Sequence, residues 1–222
     1  MAAPAPAPLP PHDISPEAVF DRIGERYDHA FAHNQGQLDA CAALIARLAP
    51  GARVLDVGSG TGRPTAEQLT AAGLDVTGID VSGVMVDLAA RQVPGATFRQ
   101  RDLFALSPQQ AAELGEFDAA TTHFSLLGEP ERVLTGLRKT RDLLRPGGLL
   151  SFAGVQHLES DGDAPVPFFD FSYVPSPCTA DSLTALVQAA GFTVHSLTSA
   201  HHTPPTDAVS ARTHLFALAQ RS

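Results

Sequence analysis

Hydrophobic positions from Ala52 onward fall into short β-rich runs separated by stretches of helical period. The runs predict strands over residues 54–57, 75–80, 96–101, 117–123, 149–155, 192–199 and 213–219. Several are nearly continuous in apolar character, as strands covered on both faces must be. Helical signals lie between them. Ser107 and Gln110 have capping-box spacing with Pro108 in the first turn, the stretch 129–144 ends at Arg145-Pro146-Gly147-Gly148, and Thr179 caps a helix that stops at Gly191. This βαβ succession predicts an α/β fold, a three-layer sandwich with a mostly parallel sheet of seven strands. The loop over 200–212 is too short for a crossover helix, so strand seven is expected to run antiparallel.

Ahead of the sheet, Ser15 reads as an N-cap with Pro16 at the first helical position. Val19, Ile23, Tyr27, Ala30 and Phe31 then recur at helical spacing and predict one helix over 16–32. A second helix begins near Gln35, with Leu38, Cys41, Ala42, Ile45 and Leu48 on one face, and ends at Pro50-Gly51. Residues 1–13 alternate Ala and Pro and read as a loose extended tail. The expected organisation is a tail over 1–13, a helical lid over 14–50 and the main domain over 51–222.

Composition narrows the chemistry. The chain has 222 residues, 44% of them apolar and 18% charged, ordinary values for one globular domain. It lacks a run of about 18 apolar residues, so no membrane span is expected, and its first residues do not resemble a signal peptide; the expected location is the cytoplasm. A formal charge of -9 without a basic stripe argues against a nucleic-acid partner. Cys41 and Cys178 stand far apart without a metal-knuckle pattern, so no metal is expected. Lys139 is the single lysine and falls beside Arg138 and Arg141 on a solvated helix face, a poor candidate for Schiff-base chemistry.

The informative stretch is Val54-Leu55-Asp56-Val57-Gly58-Ser59-Gly60-Thr61-Gly62, a strand entering a glycine-rich turn that opens a helix. Glycines there let backbone approach a ligand at the carboxyl end of the first strand. The dinucleotide fingerprint G-x-G-x-x-G needs glycine at position 63, where Arg63 stands. Asp80, in Gly78-Ile79-Asp80-Val81-Ser82, lies 22 residues beyond Gly58, where a carboxylate can accept both hydroxyls of a ribose. Asp102 ends the third strand, placed for an adenine amine, with Leu103 to cover the ring. The alternative for each acid is a helix cap.

These features resemble the S-adenosylmethionine-dependent methyltransferases of the seven-stranded Rossmann-like class. The resemblance covers residues 15–222 and is carried by VLDVGSGTGRPT, GIDVSGVMVDLAARQVPGATF, QRDL, FDAATTHFSLL and RPGGLLSF. It implies the sheet order 3-2-1-4-5-7-6 with strand seven reversed, and S-adenosylmethionine as cofactor. By position, Gly58, Ser59 and Gly60 would line the methionine portion, Asp80 with Val81 the ribose, and Asp102 with Leu103 the adenine. Thr122 or His123 would face the amino group and methyl, Tyr27 would close over the methionine carboxylate, and Asp56 would tune the loop and the ammonium.

A methyl sulfonium is already activated, so displacement needs alignment and exclusion of water, with a general base only for a protonated acceptor. His157, followed by Glu159 and Asp161, is the first choice as base and His123 the second. Phe168, Phe169, Phe171 and Tyr173 suit the wall of a small, partly apolar acceptor site or, alternatively, a cover for the sheet end. The reading is a methyltransferase acting on a small molecule, such as a specialised metabolite, at O or N. A non-catalytic S-adenosylmethionine-binding protein and a nicotinamide-dependent oxidoreductase are the alternatives.

Overall fold

The computed structural model describes residues 14–222, so the expected tail over 1–13 lies outside the described residues. In chain order the elements are α1 (Pro16–Ile23), α2 (Arg26–Phe31), α3 (Gln35–Ile45), β1 (Arg53–Val57), α4 (Thr65–Ala71), β2 (Asp75–Asp80), α5 (Gly83–Gln92) and β3 (Thr97–Gln100). There follow α6 (Pro108–Leu114), β4 (Phe117–His123), α7 (Pro130–Asp142), β5 (Leu144–Val155), β6 (Val166–Phe168), β7 (Phe171–Tyr173), α8 (Ala180–Ala189), β8 (Phe192–His202) and β9 (Arg212–Arg221).

Seven strands form one sheet in the order β3-β2-β1-β4-β5-β9-β8. Pairings from β3 through β5 are parallel, and β9 runs antiparallel to both β5 and β8. The reversed last strand therefore stands where the short connection required it. Side-chain alternation along β1 builds two cores. Val54 points with Ala119, Leu149 and Leu218 toward Leu44 of α3 and Leu69 of α4. Leu55 and Val57 point with Leu150 and Phe152 toward Leu137 of α7 and Leu183 of α8. Each fully buried leucine contributes roughly 1.5–3 kcal/mol over its exposed state.

Three local expectations change. The helix over 16–32 is two helices, because Gly24 takes a φ of +52° and caps α1 with its N–H on the Phe20 carbonyl (3.0 Å). The apolar stripe survives the break: Val19 and Ile23 pack on Met85, Leu88 and Phe171. Second, α3 packs on the sheet through Leu44, while α1 packs on α5 through Val19 and Ile23. Third, the aromatic segment after β5 folds as the antiparallel hairpin β6–β7, with Phe168 paired to Phe171. Boundaries also move: β5 starts at Leu144 and passes Pro146-Gly147-Gly148 through a register shift before pairing regularly with β4.

Candidate active site

The turn after β1 is tight for steric reasons. Gly58 has a φ of +66°, and a Cβ built on it would lie 2.2 Å from the Ser125 Cβ. Only glycine lets the β1 turn press against the loop after β4. The Gly58 and Ser59 N–H groups donate to the Ile79 carbonyl at 2.7 and 3.1 Å, joining the turn to the end of β2. Asp80 completes that join: its Oδ2 accepts from the Gly60 N–H and its Oδ1 from the Ser82 N–H, each at 2.9 Å. Burial pushes its carboxyl above the usual range, and the Ser82 and Gly60 N–H groups pull it back. Each oxygen keeps a lone pair for a further donor.

Four polar atoms around this turn are buried without a partner: Asp56 Oδ2, Ser59 Oγ, Thr122 Oγ1 and Ser125 Oγ. Buried polar atoms are nearly always paired, so the cluster marks a place for a polar ligand. Asp56 Oδ1 accepts from the Thr121 hydroxyl at 2.6 Å, yet burial pushes the Asp56 pKa up to about 7. Tyr27 lies over the turn, its Cε1 4.0 Å from where a Gly60 Cβ would stand. Burial and the carboxylates of Asp80, Asp28 and Asp56 raise its pKa, which keeps the phenol protonated and a donor. Helices α1 and α2 are tied to the same loops, since Asp28 accepts from the Thr61 hydroxyl and Asp21 from the Ser82 hydroxyl (2.5 Å).

The adenine candidates lie at the neighbouring tip. Asp102 is exposed, and its Oδ1 accepts from the Phe104 N–H at 2.8 Å to cap the 3-10 turn Leu103–Ala105. The capping role is thus real, and Oδ2 remains available. Leu103 is buried in the core beside this tip, and the Val81 carbonyl accepts from Gln100 Nε2 at 3.0 Å.

A cavity of about 270 Å³ opens between α1 and α2, the β6–β7 hairpin, the loop after β4 and the ends of β5 and β9. Phe20, Tyr27 and Phe31 from α1 and α2 and Phe168, Phe171 and Tyr173 from the hairpin form its aromatic wall. Phe169 stands behind the wall, against Phe168 (5.1 Å between centroids) and Phe31 (6.4 Å). The next residue, Asp170, accepts from Arg26 at 2.8 and 3.2 Å and lies 3.4 Å from Arg22, tying the hairpin to α1 and α2. These groups are exposed, so the tie is worth under about 1 kcal/mol. Phe124, also on the wall, has a φ of +59°, a strained conformation for a side chain with a Cβ.

The structure places neither sequence-based choice for a base on the cavity wall. His123 points from β4 into the α3–α4 face, where Nδ1 meets Thr65 Oγ1 (3.1 Å) and Nε2 meets Ser151 Oγ (2.8 Å). Gln37 Nε2 donates to that Thr65 oxygen at 2.8 Å, and burial pushes the imidazole pKa down to about 4. With both nitrogens used and no place on the cavity wall, His123 is a buried network residue. His157 faces its own loop: Nε2 lies 3.1 Å from the Gly162 carbonyl, and its backbone pairs with Cys178. Its Nδ1 is 3.6 Å from Asp161 Oδ2, beyond hydrogen-bond range, and it too is absent from the wall. Arg212 and His214, to which the sequence reading gives no role, both line the wall, and Asn34 Nδ2 lies 3.0 Å from His214 Nδ1.

Residues 31–197 match the methyltransferase-domain family. The chain is 35% identical over 147 residues to demethylmenaquinone methyltransferase of Beutenbergia cavernae, covering 64% of this chain and 58% of the relative. A second relative of that name, from Renibacterium salmoninarum, is 33% identical over 146 residues, 63% of this chain and 58% of its own. This chain thus spans about three fifths of the curated relatives it matches. Among solved structures, 1,6-didemethyltoxoflavin-N1-methyltransferase of Burkholderia thailandensis, with 1,6-didemethyltoxoflavin and S-adenosylhomocysteine bound, superposes with a TM-score of 0.68 at 26% identity, covering 99% of this chain and 94% of that one. Sheet order, glycine turn and sequence match agree: the chain belongs to the methyltransferase-domain family.

Proposed function

We propose that this chain moves the methyl group of S-adenosylmethionine to a small, largely apolar ring-bearing acceptor by in-line displacement. One observation carries the reading: the glycine turn with its four unpartnered polar atoms adjoins an aromatic cavity, and Tyr27 belongs to both. The names of the relatives, which are those of small-molecule methyltransferases, support it. So does the charge of -9, which disfavours a nucleic-acid acceptor. Among the described residues, no helix is long and apolar enough to cross a membrane.

The residues fit the cofactor. Unpartnered Asp56 Oδ2, Ser59 Oγ and Ser125 Oγ suit the ammonium and carboxylate of a methionine portion, and Thr122 Oγ1 adds a further hydroxyl at the β4 tip. Asp80 keeps a lone pair on each oxygen for a ribose diol, and the Asp102 Oδ2 and Leu103 stand at the tip where adenine would lie. When bound, the sulfonium supplies an activated methyl carbon. The protein then has to align and to dry. The latches from Asp21 and Asp28 hold the lid on the loops, and Phe20, Phe31 and Phe168 exclude water from the acceptor side. Calorimetric titration with S-adenosylhomocysteine tests the reading: saturable one-to-one binding is expected, and no binding to the folded protein would overturn it.

A further inference from the structure

Two titratable or charged side chains from β9, Arg212 and His214, line the largely apolar cavity. Arg212 and His214 are two residues apart on one strand and therefore share a face. The Arg212 guanidinium has no hydrogen bond or ion pair with a described residue, and its Nε is buried without a partner. A buried N–H without an acceptor is costly, so the Nε–H marks a place for an acceptor atom from a ligand. Tyr173 stands close enough for Arg212 to lower its pKa, but burial raises that pKa more, so the phenol stays neutral. His214 differs from His123 in one decisive respect. The His123 ring has both nitrogens satisfied, whereas in His214 only Nδ1 is engaged, by Asn34, and Nε2 has no partner among the described residues.

We propose that β9 recognises the acceptor: His214, oriented by Asn34, takes the proton of an acidic aromatic hydroxyl or ring N–H, and Arg212 donates a hydrogen bond to the acceptor. This rests on the methyltransferase reading and adds the acceptor's chemical class. Asn34 Oδ1 is buried without a donor, and a half-turn of the carboxamide brings it to Nδ1 in place of Nδ2. The oxygen then accepts Nδ1–H and Nε2 presents a lone pair to the cavity. As the acceptor oxygen or nitrogen forms its bond to the methyl carbon, the sulfur–methyl bond breaks with its electron pair going to sulfur. The acceptor's proton passes to Nε2 and leaves to solvent with the product. Burial, with His202 and His201 nearby on β8, pushes the His214 pKa down to about 3. A base so weak does little to a free phenol, but it suffices once the new bond makes the acceptor's proton strongly acidic.

The test uses protein saturated with S-adenosylhomocysteine and two probes of one shape, 2-naphthol and naphthalene. Wild type should bind the naphthol about tenfold tighter, the value of one good hydrogen bond. His214→Leu, Arg212→Met and Asn34→Leu should each reduce that preference while leaving naphthalene and S-adenosylhomocysteine affinities unchanged. Asn34→Asp should keep it, since a carboxylate also accepts Nδ1–H, a rescue that a merely structural Asn34 would not show. Methyl-label transfer into a metabolite extract should fall by about 100-fold or more in His214→Leu, as loss of a general base does. Equal affinity for the two probes in wild type, or undiminished transfer by His214→Leu, would overturn the inference and leave the methyltransferase reading standing. Failure of wild type to bind S-adenosylhomocysteine would instead remove the reading beneath it.

Discussion

Asp56 is a carboxylate that the fold would sooner keep protonated, and Asp56→Asn makes that cost measurable. Its pKa rises from 3.8 in a free carboxyl to about 7 because burial outweighs the single hydrogen bond from Thr121. The sign follows from linkage: a raised folded pKa means full stability below the unfolded pKa, progressively lost as pH rises toward 7. At about 1.36 kcal/mol per pKa unit, the ionised side chain costs about 1.7 kcal/mol at pH 5 and about 4 kcal/mol at pH 8. Asparagine imitates the protonated form, still accepts from Thr121 and does not titrate. The stability of Asp56→Asn relative to wild type should therefore improve by about 2–3 kcal/mol between pH 5 and pH 8. Urea unfolding of both proteins at both pH values, followed by circular dichroism, gives this double difference, in which the other titrating groups cancel. A difference independent of pH would refute the reasoning. The same variant should bind S-adenosylhomocysteine about tenfold more weakly, because the unpartnered oxygen that suits an ammonium is gone.

Asp80→Ala should weaken S-adenosylhomocysteine about 30- to 150-fold, as a loss of about 2–3 kcal/mol implies, and should also destabilise the apoprotein because the Gly60 and Ser82 N–H groups lose their acceptor; calorimetry and urea unfolding read the two effects separately. Gly58→Ala should cost at least about 2 kcal/mol and most of the cofactor affinity, since the new Cβ meets Ser125 at a positive φ; unchanged unfolding would contradict the close packing of the two loops. His123 has a folded pKa of about 4 against 6.5, so its stabilising contribution is present above pH 6.5 and lost as pH falls through 4. His123→Gln should therefore remove about 3 kcal/mol of the acid-induced loss in an unfolding series from pH 7 to pH 4.

The sheet was legible because its signal is periodic and local: strand runs, caps and the short 200–212 connection dictate order and direction with little help from distant contacts. The Gly58–Gly62 turn and Asp80 were legible for a related reason, since a loop and a carboxylate at fixed spacing on consecutive strands must meet. Parity along β4 does not show how deep His123 lies: Thr65 and Ser151 take both of its ring nitrogens beneath α3 and α4. His157 likewise stands at the right strand end with its ring turned toward Gly162. Gly24 was a visible break inside an otherwise convincing helical stripe, and periodicity alone overrode it. Asn34 and His214 are 180 residues apart, and no local pattern predicts that they meet.

The central claim is tested most directly by incubating the protein with methyl-labelled S-adenosylmethionine and a metabolite extract, then resolving labelled products by mass spectrometry. The account predicts one low-mass labelled product that carries an acidic aromatic hydroxyl or ring N–H in its unmethylated form, with transfer reduced at limiting cofactor in Asp80→Ala. Tight S-adenosylhomocysteine binding with no labelled small molecule from any extract, or label appearing on nucleic acid instead, would contradict it.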